Sequence, residues 1–114
     1  MLDTAVLDEL RGLDDDDLRG LVELYFADVS VQLGLLREAL AAGDADAIAA
    51  SAHRIKGASL SIGAARVAGV ASDLEIAGKS GSLAGAGELI ATLDSERGPT
   101  RSALSAELSV ELPD

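Results

Sequence analysis

Ile48-Ala-Ala-Ser-Ala-His53-Arg54-Ile-Lys56-Gly57-Ala-Ser59-Leu60-Ser-Ile62-Gly63 carries a helical rhythm. Ile48, Ala52, Ile55, Ser59 and Ile62 recur at steps of four, three, four and three, the seam of a helix lying against other helices. At about 100° per residue those five span a stripe of roughly 80°. His53 lies about 140° from the middle of that stripe, Gly57 about 180°, Leu60 about 120° and Lys56 about 80°. The single histidine of the chain therefore points away from the core. It shares its face with a lysine, a glycine and a leucine.

A lone histidine in a helical protein is often a satisfied core residue or an idle surface one. The core reading fails here because the apolar stripe points elsewhere. The surface reading leaves Gly57 unexplained, since a glycine in mid-helix costs about 1 kcal/mol relative to alanine. One turn beyond His53, it removes a neighbouring Cβ and opens the imidazole to close approach. Lys56, three residues on, brings a positive charge within reach of the ring. A bare imidazole beside a cation suits a nucleophile that accepts an anionic group such as phosphoryl.

His53-Arg-Ile-Lys56-Gly57-Ala-Ser59, then Ile62-Gly63-Ala64, then Asp73-Leu74-Glu75, resembles the histidine-containing phosphotransfer (HPt) domains of two-component phosphorelays. The resemblance extends upstream to Leu24-Tyr-Phe-Ala-Asp28 and covers roughly residues 15 to 112. It implies that His53 is the phosphoacceptor at Nε2, that Lys56 offsets charge on the phosphoryl oxygens and that Glu75 orients the ring through Nδ1. Gly57, Leu60, Arg54 and Phe26 are then expected to contribute to the partner-binding face, although the pattern alone puts Phe26 at the core edge. Ser59 fits the family motif, but its inward position assigns it to packing. Ala58 stands where many relatives have serine. The partners implied are receiver domains and a sensor histidine kinase. Magnesium and the aspartate acceptor would belong to the receiver, with no cofactor or metal in this chain.

Composition sets the wider bounds. A length of 114 residues suits one domain with a modest core. Tyr25 and Phe26 are its only aromatics, so Leu, Ile, Val and Ala must fill that core, a balance that favours helices over strands. The chain has no cysteine and hence no disulfide. No apolar run approaches the roughly 20 residues of a membrane span, and the first residues do not resemble a signal peptide. A cytoplasmic location is the expectation. A net charge of −11 argues against nucleic acid or an anionic membrane as partner. No acid occurs between Asp46 and Asp73, whereas Arg54, Lys56 and Arg66 do. A local positive potential around His53 is expected from that window.

Along the chain, residues 4–12 read as a short helix. Asp14-Asp-Asp-Asp17 lacks the alternating ligands of a calcium loop and reads instead as an N-cap and acidic first turn. A long helix follows over about 15–42, with Leu18, Leu21, Val22, Tyr25, Val29, Leu33, Leu36 and Leu40 inward. Gly43 ends it. Helices over about 44–61 and 64–78 come next, with Val67, Val70, Ala71 and Leu74 inward and residues 78–81 as a turn. The last pattern runs over about 82–111, kinked or broken at Gly98-Pro99 because Pro99 cannot donate to the carbonyl of Ser95. The expected architecture is all-α, an antiparallel four-helix bundle with a short additional N-terminal helix, in one domain over residues 1–114.

The chain shows no P-loop and no cluster of metal ligands, so a covalent phosphoryl carrier fits better than a free-standing enzyme. A rival within the family is the phosphoacceptor domain of a chemotaxis-type kinase, against which the absence of a kinase portion speaks. A rival of another class is a docking or inhibitory bundle that never carries phosphate. The pattern suggests no large exposed apolar face, which makes a monomer the expectation.

Overall fold

Three aspartates begin the first three helices. In the computed structural model, which describes residues 1–112, Asp3 accepts from the amides of Ala5 and Val6, Asp14 from Asp17 and Asp44 from Ala47. Each cap satisfies amides that have no partner inside the helix, a contribution of about 1 kcal/mol apiece. The helices are α1 (Thr4–Leu10), α2 (Asp15–Ala42), α3 (Ala45–Ser61), α4 (Ala65–Ser80) and α5 (Ala86–Leu108). No strand occurs among the described residues. The acidic run Asp14–Asp17 is thus the cap and first turn of α2, where negative charge faces the positive end of the helix dipole.

Contacts run from α2 to α3, α3 to α4, α4 to α5 and back to α2. Across α2 and α3, Tyr25 meets Ser59 and Asp28 meets Arg54. Across α3 and α4, His53 meets Glu75 while the earlier Ala49 meets the later Gly78. Across α2 and α5, Phe26 meets Arg101, Ser30 meets Arg97 and Arg37 meets Asp94. In every case rising numbers on one helix meet falling numbers on the other, as they do between antiparallel neighbours. The inward stripes of α2 to α5 meet in one core that buries Leu33, Leu36, Ile48, Ile55, Leu74, Leu93 and Leu104.

The tightest approach is between α3 and α4. A Cβ built on Gly78 would stand 2.6 Å from the amide nitrogen of Ala49 and 2.8 Å from the carbonyl oxygen of Ala45, closer than atoms tolerate. The absent side chain at Gly78 lets the two backbones touch, which sets the spacing at which side chains of α3 and α4 reach each other. At the other end of this pair Gly63 turns the chain with φ of +79°, a conformation glycine adopts without strain. Its carbonyl accepts from the amide of Asp3 at 2.8 Å, so α1 is tied to the α3–α4 turn. Leu7 of α1 is fully buried.

The structure departs from the sequence reading in four places. α4 continues to Ser80, so Gly78 and Lys79 are helical and only Gly81 makes the turn. α5 begins at Ala86, after a connection over residues 82–85 with a turn at 84–85, and runs through Pro99 to Leu108, so that of the kink or break expected there the break does not occur. Pro99 and Ser95 both lie on the solvent side, where water can satisfy the Ser95 carbonyl that loses its donor. Leu21, expected inward, is 38% exposed, and Leu24, Val31 and Leu35 also leave apolar surface on α2. Phe26, placed at the core edge by the pattern and at a partner surface by the resemblance, is only 4% exposed. It packs edge-on to Tyr25 at 4.9 Å and lies under the guanidinium of Arg101 at 4.3 Å, an arrangement in which ring and cation attract.

Candidate functional site

His53 stands on the outer face of α3 with 69% of its side chain exposed, because the stripe of Ile48, Ala52, Ile55, Ser59 and Ile62 turns inward and is buried. Ser59 owes its place to packing and to one bond, a 2.7 Å hydrogen bond with the hydroxyl of Tyr25. Burial pushes the Tyr25 phenol up from its ordinary value, partly offset by that bond. Tyr25 and Ser59 therefore form a neutral polar pair beneath the outer face, holding α2 to α3.

The imidazole is anchored from α4. Glu75 Oε2 lies 3.0 Å from His53 Nδ1, and only 5% of the Glu75 side chain reaches solvent. Two lysines complete the shell: Lys56 Nζ is 2.6 Å from Glu75 Oε1 and Lys79 Nζ is 3.1 Å from Glu75 Oε2. The side chains of His53, Lys56 and Lys79 thus cover the carboxylate at the surface. Hydrogen bonds from Lys56 and Lys79, opposed by desolvation and helped by His53, hold the Glu75 carboxyl down at about 2. A carboxylate ionised at all ordinary pH can only accept. Nδ1 must therefore carry the proton, and the lone pair of the neutral ring is left on Nε2.

Gly57 leaves the approach to this ring open. A Cβ built there would meet nothing within 4 Å. Leu60, at 55% exposure, adds apolar surface on the same face. On the other flank a groove of about 290 Å³ between α2 and α3 is lined by Leu21, Leu24, Tyr25, Asp28, Arg54 and Ala58, among others. Arg54, next to His53, bonds Asp28 through Nε at 3.1 Å.

The expected positive potential is largely balanced from neighbouring helices. Arg54 pairs with Asp28 of α2, Lys56 with Glu75 of α4 and Arg66 with Glu96 of α5. An acid-free stretch of sequence meets acids in space, because each neighbour in the bundle supplies its own. The structure brings together His53, Lys56 and Glu75 and leaves Gly57, Leu60 and Arg54 on the same outer surface, while Phe26 is withdrawn into the core. Lys79 is the site residue that sequence reasoning missed. Its signal was present as the residue one helical turn after Glu75, hidden by ending the helix too early. Among the described residues no group of three or more His, Cys, Asp or Glu is placed to hold a metal ion. No helix among them is long and apolar enough to cross a membrane.

A family model described as the Hpt domain matches residues 20–109. The chain belongs to the Hpt family. The crystal structure of histidine-containing phosphotransfer protein B (HptB) from Pseudomonas aeruginosa PAO1 is similar to this Hpt chain, with a TM-score of 0.85 and 33% sequence identity over 95% of this chain and 94% of that one. A comparison with curated protein sequences gives no match. The matched region of the Hpt chain contains His53, Lys56, Glu75 and Lys79, and it leaves α1 outside.

Proposed function

We propose that this protein accepts a phosphoryl group on His53 Nε2 and passes it to or from the aspartate of a receiver domain in a two-component phosphorelay. The observation that carries the reading is the exposed imidazole held through Nδ1 by a shielded carboxylate. In the accepting direction the Nε2 lone pair forms the N–P bond as the P–O bond of the receiver's aspartyl phosphate breaks. The electron pair of that bond leaves on the aspartate oxygen as a carboxylate. The ring, still protonated at Nδ1, gains positive charge, which Glu75 offsets through its bond to Nδ1.

The receiver docks over Gly57 and Leu60 and along the groove beside Arg54, where the missing side chain of Gly57 leaves open space beside the ring. Magnesium and the acceptor aspartate belong to that partner, and a sensor histidine kinase supplies phosphoryl groups upstream. The protein is then a carrier that supplies an oriented nucleophile and a docking surface, acts as a monomer and works in the cytoplasm.

Transfer from a labelled phospho-receiver, run with His53→Gln alongside, tests the proposal. The expected result is label that is acid-labile, base-stable and absent from the variant. Tight receiver binding with no label on the native protein would replace the carrier by a docking module that never carries phosphate.

A further inference from the structure

Lys79 donates to the Glu75 oxygen that also holds His53, yet the transfer chemistry proposed above gives it no role. Glu75 Oε1 is taken by Lys56, and Oε2 is shared by the imidazole and Lys79. A carboxylate directly behind a ring that accepts an anionic phosphoryl group is a repulsive neighbour. Lys56 alone would bring the pair to neutrality. With Lys79, the three side chains carry one net positive charge, on the side from which the ring is held. An exposed lysine one turn after a glutamate is ordinarily a helix-surface pair that contributes little to folding. Here the lysine, itself 70% exposed, reaches a carboxylate that is nearly closed to solvent. An acid whose oxygens are both engaged has little freedom to leave the ring.

We propose that Lys79 is a positioning residue for His53, acting through Glu75 Oε2: it keeps the carboxylate on Nδ1, so that the ring stays in the tautomer with its lone pair on Nε2. The inference rests on the carrier reading of His53. Lys79 need not touch the phosphoryl group, and its effect runs through the negative charge of residue 75. Neutralising that residue with an isosteric amide therefore removes the need for Lys79.

The test compares Lys79→Met and Lys79→Arg in the native background and in Glu75→Gln. It reads rapid-quench transfer from a labelled phospho-receiver and imidazole ¹⁵N spectra of His53. In the native background Lys79→Met is expected to slow transfer about three- to tenfold at low salt, the effect of loosening a carboxylate that one ion pair in a wet site had held, and less at high salt. Lys79→Arg restores the rate. In Glu75→Gln, Lys79→Met changes the rate by less than about twofold, since the charge it balances is gone. The spectra show the Nδ1-protonated form dominant in the native protein and the other tautomer gaining in Lys79→Met. Equal slowing in both backgrounds, or an unchanged rate with unchanged spectra, would overturn the proposal. Absence of label on the native protein would sink the carrier reading by itself, while the tautomer shift in Lys79→Met would still decide whether Lys79 positions the ring.

Discussion

Glu75 serves three donors with two oxygens, and its ionisation therefore matters to folding as well as to the ring it bonds. Its carboxyl is held at about 2 against an ordinary 4.5. A depressed carboxyl contributes stability that is complete above the ordinary value and fades as pH falls through the folded one. The stability difference between the native protein and Glu75→Gln should thus be constant above about pH 5 and shrink steadily toward pH 2. Urea unfolding at a series of pH values measures it, and a difference that persists undiminished at pH 2.5 would mean that the lysines do not hold this carboxylate. At this scale much of the site was legible. One histidine off the apolar stripe, with a lysine and a glycine close behind, needs only helical geometry to be noticed. Glu75 as the partner of the histidine came from the family resemblance, but the acids that balance Arg54, Lys56 and Arg66 were not legible, because they come from three other helices. For Phe26 the pattern alone, which put it at the core edge, was the better guide, and Arg101 of α5 covers its ring there.

Between elements, the α3–α4 contact decides how far Glu75 stands from His53, and Gly78 sets that contact. Gly78→Ala would force a methyl group against the backbone of Ala45 and Ala49. The two helices must part, at a cost of about 1–3 kcal/mol, as in other overpacked sites. Gly69→Ala, on the same helix with nothing within 4 Å of its Cβ position, should instead stabilise by about 0.5–1 kcal/mol through helix propensity. Chemical denaturation of the two variants provides the comparison, and an equal or favourable effect at both positions would remove Gly78 as the spacer. The pattern of apolar residues was enough to place the bodies of the helices because period and burial are coupled in a bundle. It misplaced Gly78 and allowed a break at Pro99 that does not occur, since glycine and proline break helices only where nothing else compensates. Gly78 stays helical because close packing against α3 outweighs its propensity. Pro99 stays inside α5 because its missing hydrogen bond falls on the wet side while Leu93, Thr100 and Leu104 keep the inward side buried.

At the scale of the molecule, α1 closes one end of the bundle at a distance from the site. Seven residues cannot hold a helix by themselves in water, so α1 exists through what it touches. Leu7 is buried in the shared core, Asp3 binds the carbonyl of Gly63, and Arg11 reaches the carbonyl of Glu107 near the end of α5. α3 continues from His53 to Ser61 before the Gly63 turn, about 12 Å of helix rise, so the clasp can be weakened without touching the imidazole or its anchor. Leu7→Ala removes a fully buried side chain and is expected to cost about 2–5 kcal/mol, a large share of the stability of a domain this size. The melting temperature followed by circular dichroism should fall by on the order of 10 °C. Well below that temperature the transfer rate should match the native protein, because folded molecules of the variant present the same His53, Lys56, Glu75 and Lys79. A melting temperature that barely moves would show α1 to be an appendage outside the cooperative core. A transfer rate that falls with melting unchanged would show that α1 reaches the site by a route other than stability.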